Sequence, residues 1–248
     1  MKTKLTAVFL LFAMFSFGQK LQTEGDTTLP EYKNIIKWNL TPALVGGFSN
    51  IVLSYERMVS PDQSFSINAG YLSFPKIVSD TSDLLQNIQR DRATGFTISG
   101  DYRFYLTSRN KFKAPDGLYW GPFMNYYRYD TDFTADYYEN GIYQASGGLK
   151  TDINVLYVGA QLGYQFVFYD RWTVDMILFG PALGFYNASF EATGDIEPQG
   201  DLKEIIDFLR KQYPVIGDIA DFGQGEAEGA GTTWGAGFRY AIKIGYRF

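Results

Sequence analysis

The chain has 248 residues, no Cys and no His, and a formal net charge of −5. The missing cysteines exclude a disulfide framework and thiol chemistry, and the missing histidines remove the commonest general acid–base group. An acidic chain without a basic run gives no support to nucleic-acid binding. Its 18% aromatic content beside a slightly negative mean hydropathy suits sheets whose apolar and polar faces cancel in a window average.

Lys2 and Lys4 precede an apolar run from Leu5 to Phe15, followed by Ser16-Phe17-Gly18-Gln19. This pattern predicts a secretory signal cleaved after Gly18, so that residues 1–18 are removed. About a dozen apolar residues are too few to cross a bilayer as a helix. Without Cys no lipid anchor is expected. Residues 19–33 read as a periplasmic extension and 34–248 as the folded body.

From there the chain shows a recurring strand of about ten residues with period two, bounded by Gly, Pro, Asn or Asp. The first is expected from Asn34 to Ala43, with Ile36, Trp38 and Leu40 outward and Lys37, Asn39 and Thr41 inward. The second, Asn50 to Met58, puts Ile51, Leu53 and Tyr55 outward and Ser54 and Glu56 inward. After the turn Ser60-Pro61-Asp62-Gln63, a third strand turns Phe65, Ile67, Ala69 and Tyr71 outward against Ser66 and Asn68. The fourth, Gly95 to Tyr105, has Phe96, Ile98, Tyr102 and Phe104 outward and Thr97, Ser99, Asp101 and Arg103 inward.

A fifth strand spans about Leu118 to Tyr129, but both its faces carry rings and alternation assigns neither. The sixth, Asn154 to Phe168, sets Leu156, Val158, Ala160, Leu162, Tyr164 and Phe166 against Gly159, Gln161, Gly163 and Gln165. Tyr169-Asp170-Arg171 turns the chain into a seventh, Trp172 to Phe185, with Asp175 inward. The eighth, Trp234 to Phe248, alternates almost without fault: Trp234, Ala236, Phe238, Tyr240, Ile242, Ile244, Tyr246 and Phe248 on one face, Arg239 and Lys243 on the other. Links after strands two, four and six are short. Those after three, five and seven are long: Leu72 to Thr94, Asp130 to Ile153 and Tyr186 to Gly231. The fold class expected is therefore all-β, a closed eight-stranded antiparallel transmembrane barrel with short periplasmic turns and long extracellular loops.

The stretch Ile36-Lys37-Trp38-Asn39-Leu40-Thr41-Pro42, with Ile51-Val52-Leu53-Ser54-Tyr55-Glu56-Arg57 after it, resembles a family of small envelope barrels known only as a domain of unknown function. More broadly the chain is similar to the eight-stranded OmpA and OmpX barrels, and no periplasmic peptidoglycan-binding domain like that of OmpA is expected. The ending on Phe248 resembles the C-terminal signal by which outer-membrane barrels are inserted, which implies that Tyr246 and Phe248 form an insertion signal. The resemblance implies an outer-membrane address.

Candidate functional residues fall in two places. Inward charges at Lys37, Glu56, Asp101, Arg103, Asp175, Arg239 and Lys243 would meet in a lumen just wide enough for side chains to fill. A self-paired ion network is the expectation there, because a lone charge in that setting is very costly. In the last long loop, Leu202, Ile205, Ile206 and Leu209 share one face of a predicted helix, either capping the barrel mouth or docking a partner. Leu84, Leu85 and Ile88 look like a shorter helix of the same kind. Asp195, Glu197, Glu226 and Glu228 lack the order of a calcium loop, so no metal site and no cofactor is expected.

Enzymatic barrels of this size rely on a His, so no catalytic residue is assigned and the chain is not expected to be an enzyme. The expected role is structural or interactive, as an accessory subunit of a larger outer-membrane complex; a narrow channel for ions or small solutes is the alternative. Expected partners are outer-membrane lipid and lipopolysaccharide, the barrel-assembly machinery during insertion, and that larger complex.

Overall fold

The computed structural model describes residues 29–73, 85–139, 142–194 and 228–248. Its strands are β1 (Asn34–Asn39), β2 (Ile51–Ser60), β3 (Gln63–Ser73), β4 (Leu85–Tyr105), β5 (Gly117–Glu139), β6 (Ile142–Phe168), β7 (Trp172–Phe179), β8 (Pro181–Gly194), β9 (Glu228–Phe238) and β10 (Ala241–Arg247), with a short helix α1 (Thr41–Gly46) after β1. β7 and β8 form one staved strand broken at Gly180, and β9 and β10 another broken at Arg239 and Tyr240, so the wall has eight strands. All pairings are antiparallel between chain neighbours, and β1 pairs with β10 to close the ring.

Register fixes the geometry of that ring. From Ile244 the pairs lead through Trp38, Leu53, Ala69, Ile98, Tyr126, Leu156 and Phe185 to Trp234. The path returns to its starting strand ten residues away from where it began. For eight strands spaced about 4.8 Å apart, a shear of that size tilts each strand by about 40° and gives a backbone radius of about 8 Å. The interior must then be filled by side chains.

Alternation decides which side chains fill it. Ile36, Ile51, Leu53, Ile67, Ile98, Trp120, Met124, Val158, Ile242 and Ile244 are exposed on the outside, while Lys37, Ser54, Glu56, Ser66, Asn68, Asp101, Arg103, Gln165 and Lys243 are buried inside. The fifth strand, unassigned from sequence, is settled by burial: Tyr119, Phe123 and Asn125 point in, Trp120 and Met124 out. Ring pairs decorate both ends of the apolar exterior. Tyr102–Phe104, Phe104–Trp120, Tyr164–Phe166 and Trp172–Tyr246 lie toward the short turns, and Phe96–Tyr126 and Phe185–Trp234 toward the opposite end.

Several boundaries differ from those expected. The first strand stops at Asn39 rather than Ala43, because Pro42 has no N–H to continue a ladder and is well placed in the first turn of α1. Most of the expected loop Asp130 to Ile153 is strand: β5 and β6 stay paired from Gly117 opposite Gln165 to Glu139 opposite Ile142. Leu85 and Ile88 likewise belong to β4, not to a helix, and the strand reading extends through Ala93. Polar residues on the outer face, beginning with Arg128 and Asp130, removed the apolar row that marks a half-buried strand. The docking residues Leu202, Ile205, Ile206 and Leu209, the acids Asp195, Glu197 and Glu226, and the signal over residues 1–18 lie outside the described residues; Glu228 opens β9.

The seventh strand carries one more irregularity. Register shifts between Leu162 and Gly163 opposite β7, leaving both Leu178 and Phe179 exposed and reversing which parity points inward. Beside it Gly180 accepts the N–H of Arg239 at 2.7 Å, at the break between β9 and β10. Two adjacent strands of the wall, β7/β8 and β9/β10, thus share a crease at one level.

Candidate functional site: the lumen

The inward charges of β1, β2, β4, β7 and β10 converge in the lower lumen, nearest the short turns. Their gathering follows from register, since Lys37 is paired with Gly245 and Ser54, Glu56 with Ser66, and Lys243 with Asp175 across neighbouring strands. Lys37 binds Glu56 and, at 2.8 Å, Asp175. Arg103 is the hub: its guanidinium reaches Asp101 at 2.7 Å, Asp175 at 2.9 Å and Glu56 at 3.1 Å, and lies 4.4 Å from the Tyr119 ring centroid. Arg239 sits above and reaches Asp101 at 3.3 Å. Lys243 enters through Asn68, to which it donates at 2.7 Å. All seven residues singled out from the sequence therefore lie in one connected set of four cations and three carboxylates.

Neutral groups complete it, and these the sequence reading passed over. Tyr105 and Ser64 donate to Glu56 at 2.8 and 2.7 Å, Tyr119 donates to Asp175 at 2.6 Å, and the Gln165 carbonyl accepts from Lys37 and Arg103. Parity alone would have found Tyr105, two residues past Arg103. Tyr119 was hidden by the rings on both faces of its strand. Each donation satisfies a carboxylate lone pair that burial would otherwise leave without a partner. Below the charges, Met58, Tyr105, Ala114 and Tyr119 pack into an apolar floor.

The upper lumen is built differently. Tyr127, Tyr129, Tyr157 and Tyr186 contact one another ring to ring, with the Tyr157 and Tyr186 hydroxyls 2.8 Å apart. Glycines make room for them on the facing strands. A Cβ on Gly237 would overlap the Tyr157 ring, and one on Gly184 would meet both Tyr157 and Tyr186. Between the tiers, both amide atoms of Gln161 and one guanidinium nitrogen of Arg239 are buried without a hydrogen-bond partner among the described residues.

Above the apolar exterior, on the outer face, Arg128 bridges Asp130 at 3.2 Å and Asp152 at 3.0 Å. The hydrogen bond between Asp152 and Asp130, followed by partial burial, raises the Asp152 carboxyl above its ordinary value. An acid that holds its proton more tightly when folded contributes most below the unfolded pKa, and that contribution is lost as pH rises through the folded value. Asp152→Asn is accordingly expected to gain on the wild type between about pH 4 and neutrality; equal urea midpoints for the two proteins at both ends of that range would refute it. The residue is half exposed, so the effect is small.

Tyr246 and Phe248 lie on the outer face of β10 and just past its end, where Phe248 exchanges backbone hydrogen bonds with Asn34 at 2.8 and 3.1 Å. Tyr32 packs beneath the base, its ring centroid 3.8 Å from the Arg171 guanidinium carbon. Among the described residues no cluster of His, Cys, Asp and Glu is arranged to hold a metal. No family model matches the chain, nor does any curated protein or solved structure.

Proposed function

We propose that this chain is an integral barrel of the bacterial outer membrane with a structural or protein-interaction role, serving as an accessory subunit of a larger outer-membrane complex. The observation that carries the reading is the inversion of ordinary polarity: apolar side chains stand exposed around the wall while the charges are buried within it. In water such an exterior would drive aggregation, whereas in a bilayer it is the solvated face. The ring pairs at both ends of the apolar exterior match the aromatic girdles of such barrels, and closure leaves few backbone groups exposed to hydrocarbon.

The proposal extends to export through a cleaved signal and to insertion by the assembly machinery, with Tyr246 and Phe248 read as the insertion signal. Lipid and lipopolysaccharide would surround the wall. The lumen supports interaction rather than transport. Seven interlocked charges fill the lower lumen above the packed cluster of Met58, Tyr105, Ala114 and Tyr119, and an eight-stranded barrel has little width to spare.

Two measurements test this. Purified protein in planar bilayers is expected to show no discrete conductance steps; steps carried by the correctly folded, heat-modifiable form would favour the channel reading. Extraction in mild detergent is expected to retain the chain in a larger particle, and recovery as the lone barrel from every extraction would leave only a structural role.

A further inference from the structure

Among the described residues, β9 carries an unpaired edge within the apolar exterior. Arg239 donates its N–H to Gly180, and in an antiparallel ladder bonding residues alternate, so the odd residues of β9 bond toward β8. The backbone N–H and C=O groups of Trp234, Ala236 and Phe238 therefore face the other way, toward where β1 would lie had it continued. Among the described residues β9 pairs with β8 alone.

The sequence itself stops β1 short. Its even residues bond to β10: Asn34 exchanges hydrogen bonds with Phe248, and Leu40 donates to Ile242 at 2.9 Å. Next in that series is Pro42, which would face Tyr240 and has no N–H to donate. It begins α1 instead, and Gly47, at φ 91°, redirects the chain where an L side chain would be strained. The edge left open is not at a polar rim. Trp234 and Phe238 are 72% and 54% exposed and stand in register with Phe185 and Pro181 of the apolar wall. Bare backbone groups at that height in hydrocarbon are strongly unfavourable, and an extended strand is the structure that satisfies a row of them.

We propose that this edge receives an extended segment of a partner membrane protein, antiparallel to β9, apolar on its outward side and small on its inward side. The inward restriction follows from Gly235 and Gly237, over which Tyr186 and Tyr157 already lie. A second copy does not fit. Two copies related by a twofold axis along the membrane normal would bring their β9 strands together running the same way and crossing at about twice the strand tilt, roughly 80°. The inference rests on the subunit reading given above.

The test places the photo-crosslinker p-benzoylphenylalanine at position 234 or 238, with controls at 124 and 158, whose native Met124 and Val158 are exposed on strands paired along both edges. In native membranes, one adduct of fixed mass is expected from 234 and 238 and none of that mass from 124 and 158. Ala236→Pro deletes an N–H only on the open side; it is expected to reduce that adduct at least tenfold while the barrel keeps its heat-modifiable mobility. Should that variant fail to fold, hydrogen exchange on the wild type decides instead. Amides of 234, 236 and 238 are expected to exchange fast in the purified protein and slowly in the extracted complex, and equal rates overturn the proposal. So do equal adducts from all four sites, an adduct to a second copy, or one to residues 19–33 or 195–227 of the same chain. A complex that survives Ala236→Pro with the adduct intact sinks the edge but spares the subunit reading; a wild-type chain found only as a monomer sinks both.

Discussion

Glu56→Ala is expected to destabilise the barrel by about 3–5 kcal/mol, the cost of breaking one partner out of a fully buried ion pair. Glu56 is wholly buried and receives Lys37, Arg103, Tyr105 and Ser64. Removing it leaves four cations facing Asp101 and Asp175 alone. The double variant Glu56→Ala with Arg103→Met restores the native charge difference and replaces the hub by an apolar chain of similar length. It is expected to recover part of the loss, since whole buried pairs exchanged for apolar groups are often nearly neutral. Urea unfolding in liposomes, run as a double-mutant cycle, measures both. A single-variant shift within error would mean that water solvates the lower lumen, and the case against a channel would fall with it.

Gly121→Ala is expected to cost about 1–3 kcal/mol although it adds a single methyl group. Gly121 faces inward on β5, and a Cβ there would overlap the carbonyl oxygen of Tyr102 and press on the Cα of Arg103. Both obstacles are backbone of the neighbouring strand, so no rotamer change relieves them; β4 and β5 must separate beside the hub of the ion network. Gly100→Ala is the matched control. Its nearest neighbour is the Ser66 carbonyl oxygen at 3.9 Å, so the substitution is expected to be neutral, or slightly stabilising through lost unfolded-state entropy. Equal unfolding midpoints for the two variants would show that the strands give way at 121 as easily as at 100.

The difference between these glycines was not legible in the sequence, although much of the lumen was. Period two placed Lys37, Glu56, Asp101, Arg103, Asp175 and Lys243 inward because each has apolar neighbours one residue away to reveal its parity. Where that contrast disappears, so does the signal. Tyr119 and Phe123 were undecided because Trp120 and Met124 beside them are also large and apolar. β5 beyond Tyr129 and β6 before Asn154 read as loop because the outer face turns polar there, at Arg128, Asp130, Asp132 and Asp152, although backbone pairing continues to Glu139 and Ile142. Pro42 was visible throughout. Its meaning needed the register, which shows that the missing N–H falls on the side facing β10 rather than β2.

The crease shared by β7/β8 and β9/β10 has a mechanical consequence. A bulge at Leu178–Phe179 and interruptions at Gly180 and Arg239 lie side by side, so bending stiffness falls along one line across the wall. Above that line the long strands stand as a palisade whose β9 margin is, among the described residues, tied to β8 alone; below it, charges from five strands act as cross-bracing. A sideways load on the tall hairpins is then taken up by flexing at the fold line, and the braced base transmits little of it to the turns beneath. The molecule behaves as a stiff socket carrying a compliant sail.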